Sequence, residues 1–398
     1  MTSLDAPPGY RSVLAVPQLR AVLAAHLVSM LGSVGAEVAL SVLVYRRTGS
    51  SLLSAATLAL GFLPHLLGGT VLSGTADRVP VRRLLVGCDL VAAALVTAML
   101  LPGMPVAGLL VLVVLLGCLT PVFGSARSAD LADALPPDLY LLARSLLRQV
   151  AQSSLVLGFA LGGLVLAVVG PQWLLAGDAA SFLASALLLR VGTPSRPARS
   201  TARRGPLATE ALAGLRLLAR RPALRRLLLL GWLPWTIASG ADGLAVAYSA
   251  QVGAGAGTAG ALLCALATGS VLGEVVAARL SAQQRTRAVL PLAGLMLVPL
   301  LGFVAAPAPV VAAGLLLVAG CGSAYAQGLD ALVLQVSEPQ ERGRVLAVQG
   351  SGLMVLQGGG ILAAGGLAEV LPPGTVLALG ASGGLLLLGL LALRIHRR

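Results

Sequence analysis

Lysine is missing from this chain; all 28 basic residues are arginine. A phosphate-cradling Walker loop needs a lysine to reach the β- and γ-phosphates, and Schiff-base chemistry needs an amine, so neither mechanism is open to it. Charge of either sign is scarce, at 11% of residues, where a soluble domain uses roughly 25% to cover its surface. Cysteines are few, and Cys88, Cys118, Cys264 and Cys321 lie scattered within apolar runs, no two spaced as a metal site or redox pair. His-Glu-x-x-His and His/Cys ligand clusters are absent as well. No enzymatic activity, metal or cofactor is therefore expected.

What the chain has instead is apolar length. Hydrophobic residues make up 57% of it, and the runs repeatedly reach the ~20 residues a helix needs to cross a ~30 Å hydrocarbon layer. The short alternating segments of a membrane β-barrel are not there. The fold class is an all-α integral membrane protein. Spans are expected at about 19–44, 51–75, 82–101, 105–126, 145–169, 171–190, 226–249, 256–278, 287–306, 309–335, 345–370 and 374–393. Met1 to Arg20 is short, contains proline and runs straight into a stretch too long for a signal-peptide core, so no cleaved leader is expected.

The loops alternate in charge. Leu101–Pro105, Gly170–Gln172, Ala306–Pro309 and Leu371–Gly374 are short and uncharged, whereas the intervening loops are rich in arginine. Counting flanks, 26 arginines fall on one side and only Arg46 and Arg47 on the other. By the positive-inside rule both termini are cytoplasmic, which requires an even number of spans. The net charge of +13 is then a topological signal, strengthened by anionic lipid, and no nucleic-acid partner is expected. The polar stretch 191–225 divides the chain into a first half, 1–190, and a second, 226–398. The halves echo each other: Gly35-Ala36-Glu37 recurs 205 residues later as Gly240-Ala241-Asp242. Two parallel six-span halves joined by a cytoplasmic loop suit alternating access.

Residues Ser73 to Leu85 read Ser-Gly-Thr-Ala-Asp-Arg-Val-Pro-Val-Arg-Arg-Leu-Leu. This resembles the loop 2–3 signature of the major facilitator superfamily, Gly-x-Leu-Ala-Asp-Arg-x-Gly-Arg-Arg. Asp77, Arg78 and Arg82 match, Ser73 and Pro80 replace the glycines, and Arg83 extends the basic cluster. Pro121 to Ala129, Leu135 to Leu139, Asp178 to Phe182 and Glu338 to Val345 resemble the drug/siderophore exporter branch. Gly158-Phe159-Ala160-Leu161-Gly162-Gly163 in span 5 is similar to the antiporter motif Gly-Pro-x-x-Gly-Gly, with Phe159 in place of proline. The resemblance implies twelve transmembrane helices in two pseudo-symmetric six-helix bundles. It also implies a cytoplasmic gate at Asp77, Arg78, Arg82 and Arg83, with Arg127 as a partner of Asp77 at the end of span 4.

A carboxylate in the bilayer core costs roughly 2.5–3.5 kcal/mol on insertion scales, so each one needs a reason. Glu37 and Asp242 hold matching places in the two halves. Either they face a central cavity, where they exchange protons or meet a cationic substrate, or they bond a neighbouring helix; Glu37 has the further option of snorkelling out to Arg46 or Arg47. Asp330, with Tyr325 and Gln327, forms a polar stripe in span 10 that suits a cavity wall or a helix–helix contact. Trp235 in span 7 is a cavity-lining candidate. Asp178 is expected to be structural, and Asp89 and Glu274 to pair with arginines nearby.

The function expected from these residues and the resemblance is secondary active transport. A monomer in the inner (plasma) membrane would export a small amphipathic compound (a drug, siderophore or secondary metabolite) by proton-coupled alternating access. The alternatives are a metabolite uptake permease on the same fold and a transport-dead membrane sensor or scaffold.

Overall fold

In lipid, a backbone that bonds to itself along one segment is a helix, and every apolar run forms one. The computed structural model describes residues 10–71, 79–194, 221–338 and 341–396. After a short helix, Tyr10–Leu14, the spans of the first half are α1 (Pro17–Thr48), α2 (Ser51–Val71), α3 (Val81–Met99), α4 (Val106–Ala134), α5 (Pro137–Val168) and α6 (Pro171–Gly192). Those of the second are α7 (Pro222–Gln251), α8 (Gly257–Ala278), α9 (Val289–Leu297, continued as a 3-10 turn over Val298–Ala305), α10 (Pro309–Gly322 and Tyr325–Val336), α11 (Arg342–Leu367) and α12 (Pro373–His396).

Among the described residues, eight of these are by themselves long and apolar enough to cross a membrane, and α2 and α9 contribute shorter apolar helices. α3 and α7 complete the twelve; each spends length on charge, Arg82, Arg83 and Asp89 in one and Arg225, Arg226 and Asp242 in the other. Proline opens α1, α5, α6, α7 and α10, where its missing N–H and fixed φ cost nothing. Gly49 ends α1 in the left-handed region at φ 68° and donates its N–H to the Tyr45 carbonyl, so α2 starts two residues later.

The packing repeats itself when six is added to each helix number. In the first half α1 lies on α5 and α6, α3 on α4 and α6, and α2 on α4. In the second α7 lies on α11 and α12, α9 on α10 and α12, and α8 on α10. The contacts between the halves obey the same rule, α5 against α8 and α11 against α2. Even the tie at the start of each half recurs. Gln18 of α1 bonds Asp130 late in α4 at 2.7 Å, and Arg221 before α7 pairs with Glu338 and Glu341, at 2.5 and 3.2 Å, after α10.

The halves meet mainly at the arginine-poor end, opposite the termini. Val38 and Val42 of α1, Leu166 of α5, Ala245 and Val246 of α7, and Ala259 and Leu263 of α8 form one buried apolar cluster spanning both halves. Ala55 and Ala59 of α2 pack on Ile361 of α11 in a second. At the rim, Glu369 accepts from the Ser50 hydroxyl and the Leu52 N–H, each at 2.8 Å. These apolar layers hold the two halves together at that end.

Candidate functional site

Glu37 sits directly under those apolar layers. Its neighbours Val34 to Ala36 and Val38 to Val44 are all buried, yet Glu37 itself keeps exposed surface. Its carboxyl interacts electrostatically with Asp178 of α6 and, across the halves, with Asp242 of α7. Asp242 is half-buried among buried neighbours. Three acids from three helices thus gather in the middle of the molecule, and His, Cys, Asp and Glu form no metal-holding group among the described residues.

Asp178 is bound from both sides. Its Oδ1 accepts from the Ser33 hydroxyl at 3.1 Å and from the Ser181 hydroxyl at 3.3 Å, and it is 1% exposed. Gly32 makes this approach possible: a Cβ there would stand 2.8 Å from Oδ1 and 2.3 Å from the Ser181 Oγ. Arg47 turns away from Glu37 and donates to the Met104 carbonyl at 2.8 Å.

The polar residues of α10 separate. Tyr325 is wholly buried in the core of the second half and donates its hydroxyl to the Gly231 carbonyl. Gln327 donates to the Glu274 carbonyl of α8 at 3.1 Å. Asp330 is exposed and accepts from the Gln349 amide at 2.7 Å, while the Gln349 carbonyl takes the Trp232 indole N–H at 2.9 Å. Trp235 is half-buried against the same core. Arg148 of α5, which nothing in the sequence pattern singled out, acts electrostatically on both Glu274 and Asp330 from the opposite half. The arginine-rich mouth is therefore lined by opposite charges on facing halves.

Asp77 and Arg78 lie outside the described residues. Arg82 reaches the Thr193 carbonyl at 3.5 Å, and Arg83 is exposed. Arg127 stacks over Phe123, 5.7 Å from the ring centroid, and one of its guanidinium nitrogens is buried with no hydrogen-bond partner among the described residues. It also acts on His26 of α1. Asp89, near arginines in sequence, is buried and takes its hydrogen bond from Ser185 of α6 at 2.6 Å.

The glycines of span 5 work on two faces of α5. A Cβ on Gly158 would meet the Val34 Cβ at 2.7 Å, and one on Gly162 the Gly35 Cα at 3.0 Å, so both bring α5 onto α1 beside Glu37. Gly163 faces the other half, where its absent Cβ would lie 3.0 Å from the Gly257 carbonyl oxygen and 3.1 Å from the Gly260 Cα. Close backbone approach of this kind is how membrane helices gain packing without a hydrophobic drive between them.

The profile of the Major Facilitator Superfamily matches residues 22–329. Curated proteins give no match. Solved structures match over nearly the whole chain. One is a peptide transporter, POT, in complex with sulfate, with TM-score 0.73, 13% identity, and 98% of this chain and 96% of that one covered. Another is a bacterial homologue of the human lysosomal transporter Spinster, inward-facing and occupied, with TM-score 0.68, 16% identity, and 96% and 93% covered. A third is a bacterial homologue of the iron transporter ferroportin, inward-facing, with TM-score 0.67, 15% identity, and 96% and 99% covered. At these identities the likeness is one of fold.

Proposed function

This chain belongs to the major facilitator superfamily, and on that premise we propose that it exports a small amphipathic compound by alternating access, driven by protons that bind at Glu37 and Asp242. It is a membrane transporter by family; direction, substrate and coupling are the proposal. The observation that carries it is Glu37 itself, a carboxyl with exposed surface in the middle of an otherwise buried stretch, beneath the apolar layers that join the halves and facing an acid of the opposite half. In this reading the arginine-rich end is cytoplasmic, as positive charge favours, and the conformer described is open to the cytoplasm. Asp77 belongs to the gate that closes that end, partnered by Arg127, and Arg148 draws toward Glu274 and Asp330 as it shuts. The chain works as a monomer in the plasma membrane.

The cycle follows from the charges. A proton on Glu37 removes a negative charge from the cleft and changes which conformer is favoured; a cationic substrate competes for the same carboxyls. Each proton descending a 100 mV potential yields roughly 2.3 kcal/mol, so two sustain a useful outward gradient. The test is a compound screen in inverted membrane vesicles with a proton-sensitive dye. Glu37→Gln keeps the shape and removes the titration; it should abolish accumulation driven by an imposed pH difference while sparing downhill exchange. Full pH-driven accumulation in both Glu37→Gln and Asp242→Asn would sink the coupling assignment, and accumulation only in right-side-out vesicles would reverse the direction.

A further inference from the structure

Two hydroxyls need only an acceptor, and an amide oxygen would serve Ser33 and Ser181 as well as a carboxyl does. Yet the group between α1 and α6 is Asp178, an ionisable side chain with almost no exposure. A permanently charged carboxylate here would need a cation, because burying an uncompensated charge is costly. Neither of its side-chain hydrogen-bond partners supplies one: both are serine hydroxyls, from Ser33 and Ser181.

Its surroundings extend into a seam. On α1, Ser29, Ser33 and Glu37 are spaced by four residues and so share one stripe, with neighbouring Cβ atoms about 5–6 Å apart. Glu37 therefore stands one turn from the serine that bonds Asp178. On α6, Asp178, Ser181 and Ser185 are likewise spaced by three and four, each step leading toward the arginine-rich end. Ser185 then bonds Asp89 of α3. Titratable groups around this seam include Glu37 and His26 on α1 and Cys88 and Asp89 on α3; Asp242 of α7 acts on Glu37, and Arg127 of α4 acts on His26. α5 brings glycine to the crossing, at Gly158 and Gly162.

We propose that Asp178 is a second carrier of the coupling proton, receiving it from Glu37 through the Ser33 hydroxyl, and that the α1–α6 seam leads it toward Asp89 and the arginine-rich end apart from the substrate cleft. This rests on the reading of Glu37 as a proton site. In the transfer the Glu37 O–H bond breaks and one forms on Ser33 Oγ. The original Ser33 O–H bond breaks and one forms on Asp178 Oδ1. Glu37 is left as a carboxylate and Asp178 neutral, with no other reactant. Gly32 supports the step by letting the α1 backbone come down onto the carboxyl, and the separation of routes lets proton and substrate move in opposite directions without sharing one passage.

The test needs no substrate. Protein with carbon-13-labelled aspartate in lipid nanodiscs is titrated by infrared spectroscopy of the carboxyl C=O bands. Asp178→Glu identifies the Asp178 band by moving it out of the labelled set while keeping an acid in place. The expected result is that the Asp178 band titrates and that Glu37→Gln moves its midpoint by about one pH unit or more, as coupled sites require. Ser33→Ala should slow proton uptake after a pH jump, followed with pyranine, on the order of a hundredfold. An Asp178 band that stays constant across the titration, or that ignores Glu37→Gln, overturns the proposal, as does undiminished uptake in Ser33→Ala. Because no transport is measured, a coupled pair in a protein whose Glu37→Gln variant still accumulates substrate would count against the transport reading alone.

Discussion

The contact between α5 and α8 offers a direct way to move the molecule between its states. Gly260→Ala adds one methyl group. Its carbon would lie 2.5 Å from the Gly163 Cα, 2.8 Å from the Gly163 nitrogen and 2.9 Å from the Phe159 carbonyl oxygen, where ordinary contacts run about 3.5–4.0 Å. All three atoms are backbone, so no side chain can swing aside. The helices must part by roughly 1 Å, and overpacking of this kind costs about 1–3 kcal/mol. That cost falls on the conformer in which the arginine-poor end is closed and vanishes once α5 and α8 separate there. The conformational equilibrium should therefore shift about 5- to 150-fold toward an open arginine-poor end.

The assay is pulsed electron paramagnetic resonance between spin labels at Leu101 and Val370, exposed positions at that end on opposite halves. Gly260→Ala should enrich the longer-distance population. Gly177→Ala is the control, since a methyl group there meets nothing within 4 Å, and it should leave the distribution unchanged. A Gly260→Ala distribution indistinguishable from that of the control would refute the argument that this backbone contact closes the halves.

Three further predictions use simpler measurements. The Leu52 N–H and the Ser50 hydroxyl hold the Glu369 carboxyl below its ordinary range; such a group stabilises closure above its ordinary pKa of 4.5 and loses that effect as pH falls through the lowered value. The same spin-label pair should thus lengthen in acid, and Glu369→Ala should abolish the acid response and leave the end looser at neutral pH. On the proposed gate, Asp77→Asn should slow turnover with expression intact, because its proposed partner Arg127 loses an anion; wild-type turnover would remove Asp77 from the gate. An impermeant thiol reagent applied to intact cells should label a cysteine at Met104 and spare one at Ser200, and equal labelling would refute the topology.

The spans were legible because hydropathy is a local property and lipid leaves the backbone one economical solution. Their ends were less so. Span 5, expected at 145–169, runs from Pro137 to Val168, since a helix can continue past the hydrocarbon wherever capping and chain direction allow. Span 10, expected as one piece, breaks between Gly322 and Tyr325. Glu37 and Asp242 stood out because charge in a bilayer is costly. Which neighbour each polar group meets was hidden, because helices that are apolar nearly all round carry no amphipathic signal to fix their rotation. So Asp89, expected to pair with arginines in its own helix, points instead to Ser185, and Arg148 gave no sign that it faces Glu274 and Asp330. The one available clue was the four-residue spacing of Ser33 and Glu37, which identifies a shared stripe but not the Asp178 beside it.

The position of the span 5 glycines links the acid site to the contact between halves. Glu37 is two residues from Gly35, which lies against Gly162. The next residue, Gly163, lies against Gly260 on the far half. From the carboxyl to the opposite bundle the path therefore runs through backbone pressed on backbone, with no flexible side chain to absorb a displacement. Packed interiors transmit strain, and here the transmission line is two glycine contacts long. On the proposed reading of Glu37, a movement of α1 caused by a change of charge there would push on α5 and, through Gly163, on α8. Phe159 in place of the motif's proline keeps its backbone N–H for the α5 hydrogen-bond ladder, so the segment carrying Gly158, Gly162 and Gly163 moves as one stiff helix rather than bending between its two contacts.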